Sequence, residues 1–126
     1  MITTIRADAR RGTETPNATM TTFATPTLGE TAGLSMWQVE MTAGAQGPGH
    51  MFDSEQVWTV LEGELAVAAA GENHTLRAGD TVVLPAGAER QLSARTNVRL
   101  LVCGHGNAIV RVPGETAPRG TPAWIA

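Results

Sequence analysis

Residues 56–70 read QVWTVLEGELAVAAA. The stretch holds two strand-like runs split by Glu62-Gly63. In the first run Gln56, Trp58 and Val60 share one face, because side chains at even offsets in an extended chain point the same way. Glycine at the break reads as a turn. The same rhythm continues outward on both sides. Upstream, LSMWQVEM (residues 34–41) alternates, with Ser35, Trp37, Val39 and Met41 on one face and Leu34, Met36, Gln38 and Glu40 on the other. Which of the two faces is interior is left open, so Trp37 and Met36 are both candidates. Downstream come HTLRAG, DTVVLP, AERQLSA and VRLLVC, each bounded by Gly, Pro or a polar turn. No segment carries the period and caps of an amphipathic helix. Many short strands at a spacing of roughly 8–12 residues predict an all-β sandwich or barrel.

The chain of 126 residues allows one domain; at this length roughly two-thirds of the unfolded surface is buried, so neither disulfide nor metal is needed for folding. Hydrophobic residues make up 42% and charged residues 17%, a globular rather than disordered balance. A net charge of −3 argues against non-specific binding to nucleic acid or to an anionic membrane surface. There is no Tyr, and all nine basic residues are Arg, which excludes Schiff-base lysine and tyrosine acid–base chemistry. The single cysteine, Cys103, excludes an intrachain disulfide, a CxxC pair and a cysteine zinc site. The start, MITTIRADARRG, carries charge where a secretion signal needs an apolar run. No run of apolar residues is long enough to span a bilayer. The expectation is a cytoplasmic protein, and the bias to Ala, Gly, Arg and Pro without Lys points to a GC-rich bacterial gene.

Residues 1–33 are polar and rich in Thr, Pro and Gly, and read as an irregular arm with a short strand near Met20–Phe23. Residues 34–112 carry the strand pattern. Residues 113–126 form a tail whose apolar end, Trp124, Ile125 and Ala126, is expected to pack on the barrel or on a partner subunit. Arm, tail and uncovered sheet edges together predict a homodimer, with arm or tail lying across the second copy.

Two segments resemble the cupins, small antiparallel β-barrels with jelly-roll topology. The first family motif is G-(X)5-H-X-H-(X)3,4-E-(X)6-G. Here Gly44 is followed by five residues and His50, Phe52 stands at the second His, and Gln56 stands at the Glu, with six residues between it and Gly63. The second is G-(X)5-P-X-G-(X)2-H-(X)3-N. Gly79, Pro85 and Gly87 fit without a gap, while Arg90 stands at the His and Ala94 at the Asn. The resemblance implies a single cupin-type antiparallel β-barrel. In metal-binding members three His and one Glu hold the ion, and only His50 survives of those four. Phe52 has no donor atom, Gln56 offers a neutral amide oxygen, and Arg90 is a permanent cation. A cation ~4 Å from a dication at an effective dielectric of ~20 is repelled by roughly 8 kcal/mol. The resemblance to a metal-dependent enzyme is thus broken at its ligands, and no cofactor is expected. A divalent transition metal on His50 and Gln56 is the alternative.

The resemblance and strand parity together direct His50 and Phe52 to the barrel interior, continue the inward set with Gln56, Trp58 and Val60, and put Arg90 and Leu92 on the opposite wall. A few polar groups in an apolar cavity make the usual small-molecule site. His50 reads as a general acid/base, a metal ligand, or a structural imidazole bonded to a neighbour. Arg90 reads as the anchor of an anionic ligand, or as half of an ion pair with Glu55, Glu62 or Glu89. Gln56 positions a ligand or satisfies buried backbone; Trp58, Trp37 and Phe52 line the pocket or fill the core. Cys103 reads as a small buried hydrophobe, with His105 on its strand face if the strand continues through Gly104. The expectation is a small-molecule-binding cupin of unknown substrate. Its groups suit metal-independent proton transfer in an isomerisation, cyclisation or decarboxylation. A metal-dependent dioxygenase or lyase and a non-catalytic sensor or assembly module stand as alternatives.

Overall fold

The computed structural model describes residues 1–126. A single 3-10 turn at Ala7–Ala9 precedes eleven strands: β1 (Arg11–Glu14), β2 (Thr19–Ala24), β3 (Leu34–Met41), β4 (Met51–Phe52), β5 (Gln56–Glu62), β6 (Glu64–Ala69), β7 (Glu72–Arg77), β8 (Thr81–Leu84), β9 (Arg90–Ala94), β10 (Val98–His105) and β11 (Val110–Arg111). No helix is long and apolar enough to cross a membrane. One sheet runs β1-β2-β3-β10-β5-β8, a second runs β7-β6-β9, and β11 pairs with β4. All named pairings are antiparallel. The fold is an all-β jelly roll.

The glycine-rich segment before β4 completes the second layer. Its backbone runs along β9: Gly44 and Gly47 donate to the carbonyls of Ala94 and Leu92, and Ala94 donates back to Ala45. Gly47, Pro48 and Gly49 break the regular ladder without breaking the pairing. His50 and Arg90 then exchange both backbone hydrogen bonds, at 3.0 and 2.9 Å. This glycine-rich segment therefore pairs along β9 through its backbone, and it fixes His50 directly opposite Arg90.

The inward faces form one core. From the six-stranded sheet come Trp37, Val39 and Met41 of β3, Trp58 and Val60 of β5, and Leu100 and Val102 of β10. From the facing layer come Leu65, Val67, Leu92 and Ala94. The register left open for β3 is settled: Trp37 is 1% exposed and Met36 is 40% exposed. Between β5 and β6 the chain crosses from one sheet to the other at Gly63. Its φ is +88°, and an added Cβ would lie 2.1 Å from the Asn97 carbonyl oxygen. Only glycine has both the backbone freedom and the missing side chain this crossing needs.

Residues 11–24 are more regular than their composition suggests. β1 and β2 form a hairpin on the edge of the six-stranded sheet, so the short strand read at Met20–Phe23 spans Thr19–Ala24 and pairs with β3. Packing overrides a threonine-rich sequence here: Met20 and Thr22 point inward and are buried. The tail folds onto its own chain. Ile125 is fully buried, Thr22 donates to the Trp124 carbonyl at 2.9 Å, and the Ser35 hydroxyl donates to the Ile125 carbonyl.

Candidate functional site

His50, Phe52, Gln56, Trp58 and Arg90 form one connected run of contacts. The His50 and Phe52 rings meet edge to face with centroids 5.4 Å apart. The Arg90 guanidinium carbon lies 5.4 Å from the Phe52 centroid. Arg90 Nη1 donates to Gln56 Oε1 at 3.3 Å, and Trp58 Nε1 donates to the same oxygen at 3.1 Å. Arg90 Nε donates to the Ala88 carbonyl at 2.9 Å. Arg90 is 1% exposed and Gln56 is fully buried. The ion pairs read for Arg90 do not form. Glu62 binds Arg99 instead, and neither Glu55 nor Glu89 reaches the guanidinium. Burial without a counter-charge lowers the Arg90 pKa to about 10, which still leaves it a cation at neutral pH.

His50 sits at the boundary between this polar group and open space. Its Nδ1 lies 2.9 Å from the Pro48 carbonyl oxygen. A carbonyl only accepts, so the neutral ring carries its proton on Nδ1 and presents Nε2 as a bare acceptor. Burial lowers the His50 pKa, and the Arg90 charge lowers it further; the Pro48 hydrogen bond opposes them. The net result is a neutral imidazole, suited to accept a proton.

A cavity of about 460 Å³ opens beside it, lined by His50, Phe52, Met20, Leu92 and all three tryptophans of the chain, Trp37, Trp58 and Trp124. The cavity divides the five residues. His50, Phe52 and Trp58 line it; Gln56, bonded to Trp58, and Arg90, set against Phe52, do not. Two wall groups were not read as such from the sequence. Trp124 arrives on the tail, and its only sequence signal is the apolar end of that segment. Arg119 stands at the wall, clamped by both carboxylate oxygens of Glu115 at 2.8 and 2.6 Å. Cys103 is not in the core: it is partly exposed on the outer face of β10. The strand does continue through Gly104, so His105 shares that face, at its exposed end.

A metal centre of the kind the family resemblance implies finds poor donors here. His50 offers one nitrogen and Phe52 none. Gln56 Oε1 already accepts two hydrogen bonds, and Arg90 brings a positive charge. No group of three or more His, Cys, Asp or Glu side chains is placed to share an ion. These residues do not fit a divalent cation.

The family model described as "Cupin domain" matches residues 37–104, just over half of the chain and the span that includes both motifs. No curated protein sequence matches. Among solved structures, salicylate 1,2-dioxygenase from Pseudoaminobacter salicylatoxidans, determined with gentisate, superposes on 83% of the chain with a TM-score of 0.72 and 23% identity. The chain spans 31% of that dioxygenase chain. An RmlC-like cupin from Shewanella frigidimarina superposes on 81% of the chain with a TM-score of 0.69 and 21% identity, and here 88% of the other chain is covered. At such identities the likeness speaks to the fold alone.

Proposed function

The chain belongs to the cupin family, and from that premise we propose that it binds a small, largely apolar molecule inside the jelly roll and moves a proton on it through the His50 imidazole. One observation carries the reading: three tryptophans and Phe52 converge on a single cavity whose only imidazole is His50. A volume of about 460 Å³ lies within the usual range for small-molecule sites. Aromatic walls give a flat apolar ligand contact area, and one polar group fixes its orientation. With Nδ1 tied to Pro48, Nε2 is the atom that takes the proton, and the lowered pKa keeps it free to do so near neutral pH. Isomerisation, cyclisation and decarboxylation need such a group and no redox partner.

The test is optical, because every tryptophan lines the cavity. Neutral aromatics of increasing size, beginning with benzamide and indole, should change the tryptophan emission saturably. Val39→Phe, which fills the wall, should weaken that binding at least about tenfold while the chain stays folded. No saturable change with any of them, or equal binding by the filled variant, overturns the reading.

We also propose that the chain forms a homodimer through the outer face of its six-stranded sheet. Met36, Cys103, Val57 and Val83 stand directly opposite one another across β3, β10, β5 and β8. Met36, Val57 and Val83 are 40%, 39% and 58% exposed, and Leu34 and Leu61 extend the same outer face at 65% and 37%. The β1–β2 hairpin and the tail pack within their own chain, and this row supports the pairing.

A further inference from the structure

Against Trp58 and Phe52, two buried side chains hold donors that no protein acceptor meets. Gln56 Oε1 faces Trp58 Nε1 and Arg90 Nη1. Both of these groups only donate, so the orientation of the amide is fixed by its neighbours. Its Nε2 is turned away, buried and unpaired; so is Arg90 Nη2. The guanidinium has no carboxylate partner, and burying an isolated charge is costly unless something supplies the opposite one. The two free nitrogens belong to side chains joined by the Nη1–Oε1 bond, so covalent geometry keeps them within about 8 Å of each other. A carboxylate accepting one ordinary hydrogen bond at each oxygen spans up to about that distance between its two donors.

Phe52 touches both: it lines the cavity, and the Arg90 guanidinium carbon lies 5.4 Å from its ring centroid. An aromatic face is a partial substitute for an anion.

We propose that Arg90 and Gln56 form a carboxylate subsite at the floor of the cavity, covered by Phe52 and reached when a ligand carboxylate displaces that ring. The subsite rests on the reading of the cavity as a ligand site, and it narrows the ligand class to small apolar or aromatic carboxylic acids.

Benzoate and benzamide have nearly the same shape and differ in charge. Titrated into the wild-type chain, benzoate should bind at least about tenfold more tightly, the scale of one charge-assisted hydrogen bond. In Arg90→Leu the two affinities should come within about twofold of each other. Gln56→Glu should do the same by placing the chain's own carboxylate on Arg90, and it keeps the test available should Arg90→Leu not fold. Phe52→Ala, which removes the cover, should widen the preference for benzoate. Formate protecting the wild type against heat, but not Gln56→Glu, would identify the occupant as a free small anion; protection by benzoate alone would identify it as the head group of a larger ligand. Equal wild-type affinities, or a preference that survives both variants, overturns the subsite and leaves the cavity reading standing. Failure of both compounds in a chain that still binds indole overturns the subsite alone; failure of the larger neutral aromatics as well overturns the cavity reading and the subsite together.

Discussion

His50 exposes the chain to acid. Its pKa is lowered by burial and by the Arg90 charge, so below the unfolded value of about 6.5 the unfolded chain binds a proton that the folded chain refuses. Stability then rises with pH across that window, because the unfolded state holds more protons. The contribution is present above about pH 6.5 and is lost as pH falls toward the folded pKa. Urea melts of wild type and His50→Gln between pH 7.5 and 5 should therefore diverge, with the wild type losing stability faster. Parallel curves would show that the imidazole is not held neutral by its surroundings. Glu62 and Glu115, held below the usual carboxylate range chiefly by hydrogen bonds from Arg99 and Arg119, come into play at lower pH. At this scale the sequence was most informative about residue types and least about their partners. Arg90 is inward, as its motif position implies, but nothing local in AERQLSA shows that no glutamate reaches it. The contact between Arg90 and Phe52 joins positions 38 residues apart in the chain.

Gly63 is where the element scale can be tested. Gly63→Ala would place a methyl group 2.1 Å from the Asn97 oxygen in a backbone region that disfavours side chains. We expect a loss on the order of 3 kcal/mol, at the upper end of single substitutions, read as a lower urea midpoint with an unchanged slope. A loss below about 1 kcal/mol would mean that the β5–β6 crossing is slack. The strands with clean alternation, β3, β5 and β10, were legible because each buries one face and exposes the other. Others were not. β7, ENHTLR, buries only Leu76, so it has no period to read. β1 alternates between half-buried and exposed residues at the sheet edge. The segment from Gly44 to His50 pairs through its backbone while Gly and Pro dominate its side chains. Parity along β3 gave two faces, and only the facing sheet could choose Trp37 over Met36.

For the whole molecule, the outer apolar row carries the remaining prediction. Light scattering at micromolar concentration should give twice the chain mass, and Val57→Glu, in the middle of the row, should halve it without changing the far-ultraviolet circular dichroism. A monomer mass for the wild type would remove the dimer proposal. The cavity belongs to this scale as well, and the sequence showed only part of it. Strand parity and the motifs pointed to His50, Phe52, Trp58 and Leu92, while Met20 and Trp124 lie outside both motifs and meet the others only when both sheets and the tail are in place. That dependence has a consequence in time. Contacts between distant parts of a chain form slowly, since loop closure must precede the contact that rewards it. The tail reaches Thr22 and Ser35 across 102 and 90 residues of chain, and closure entropy grows with that separation. The wall that Trp124 supplies is therefore among the costliest parts of the chamber to close, and a chain cut before Trp124 should keep its sheets while its chamber stands open.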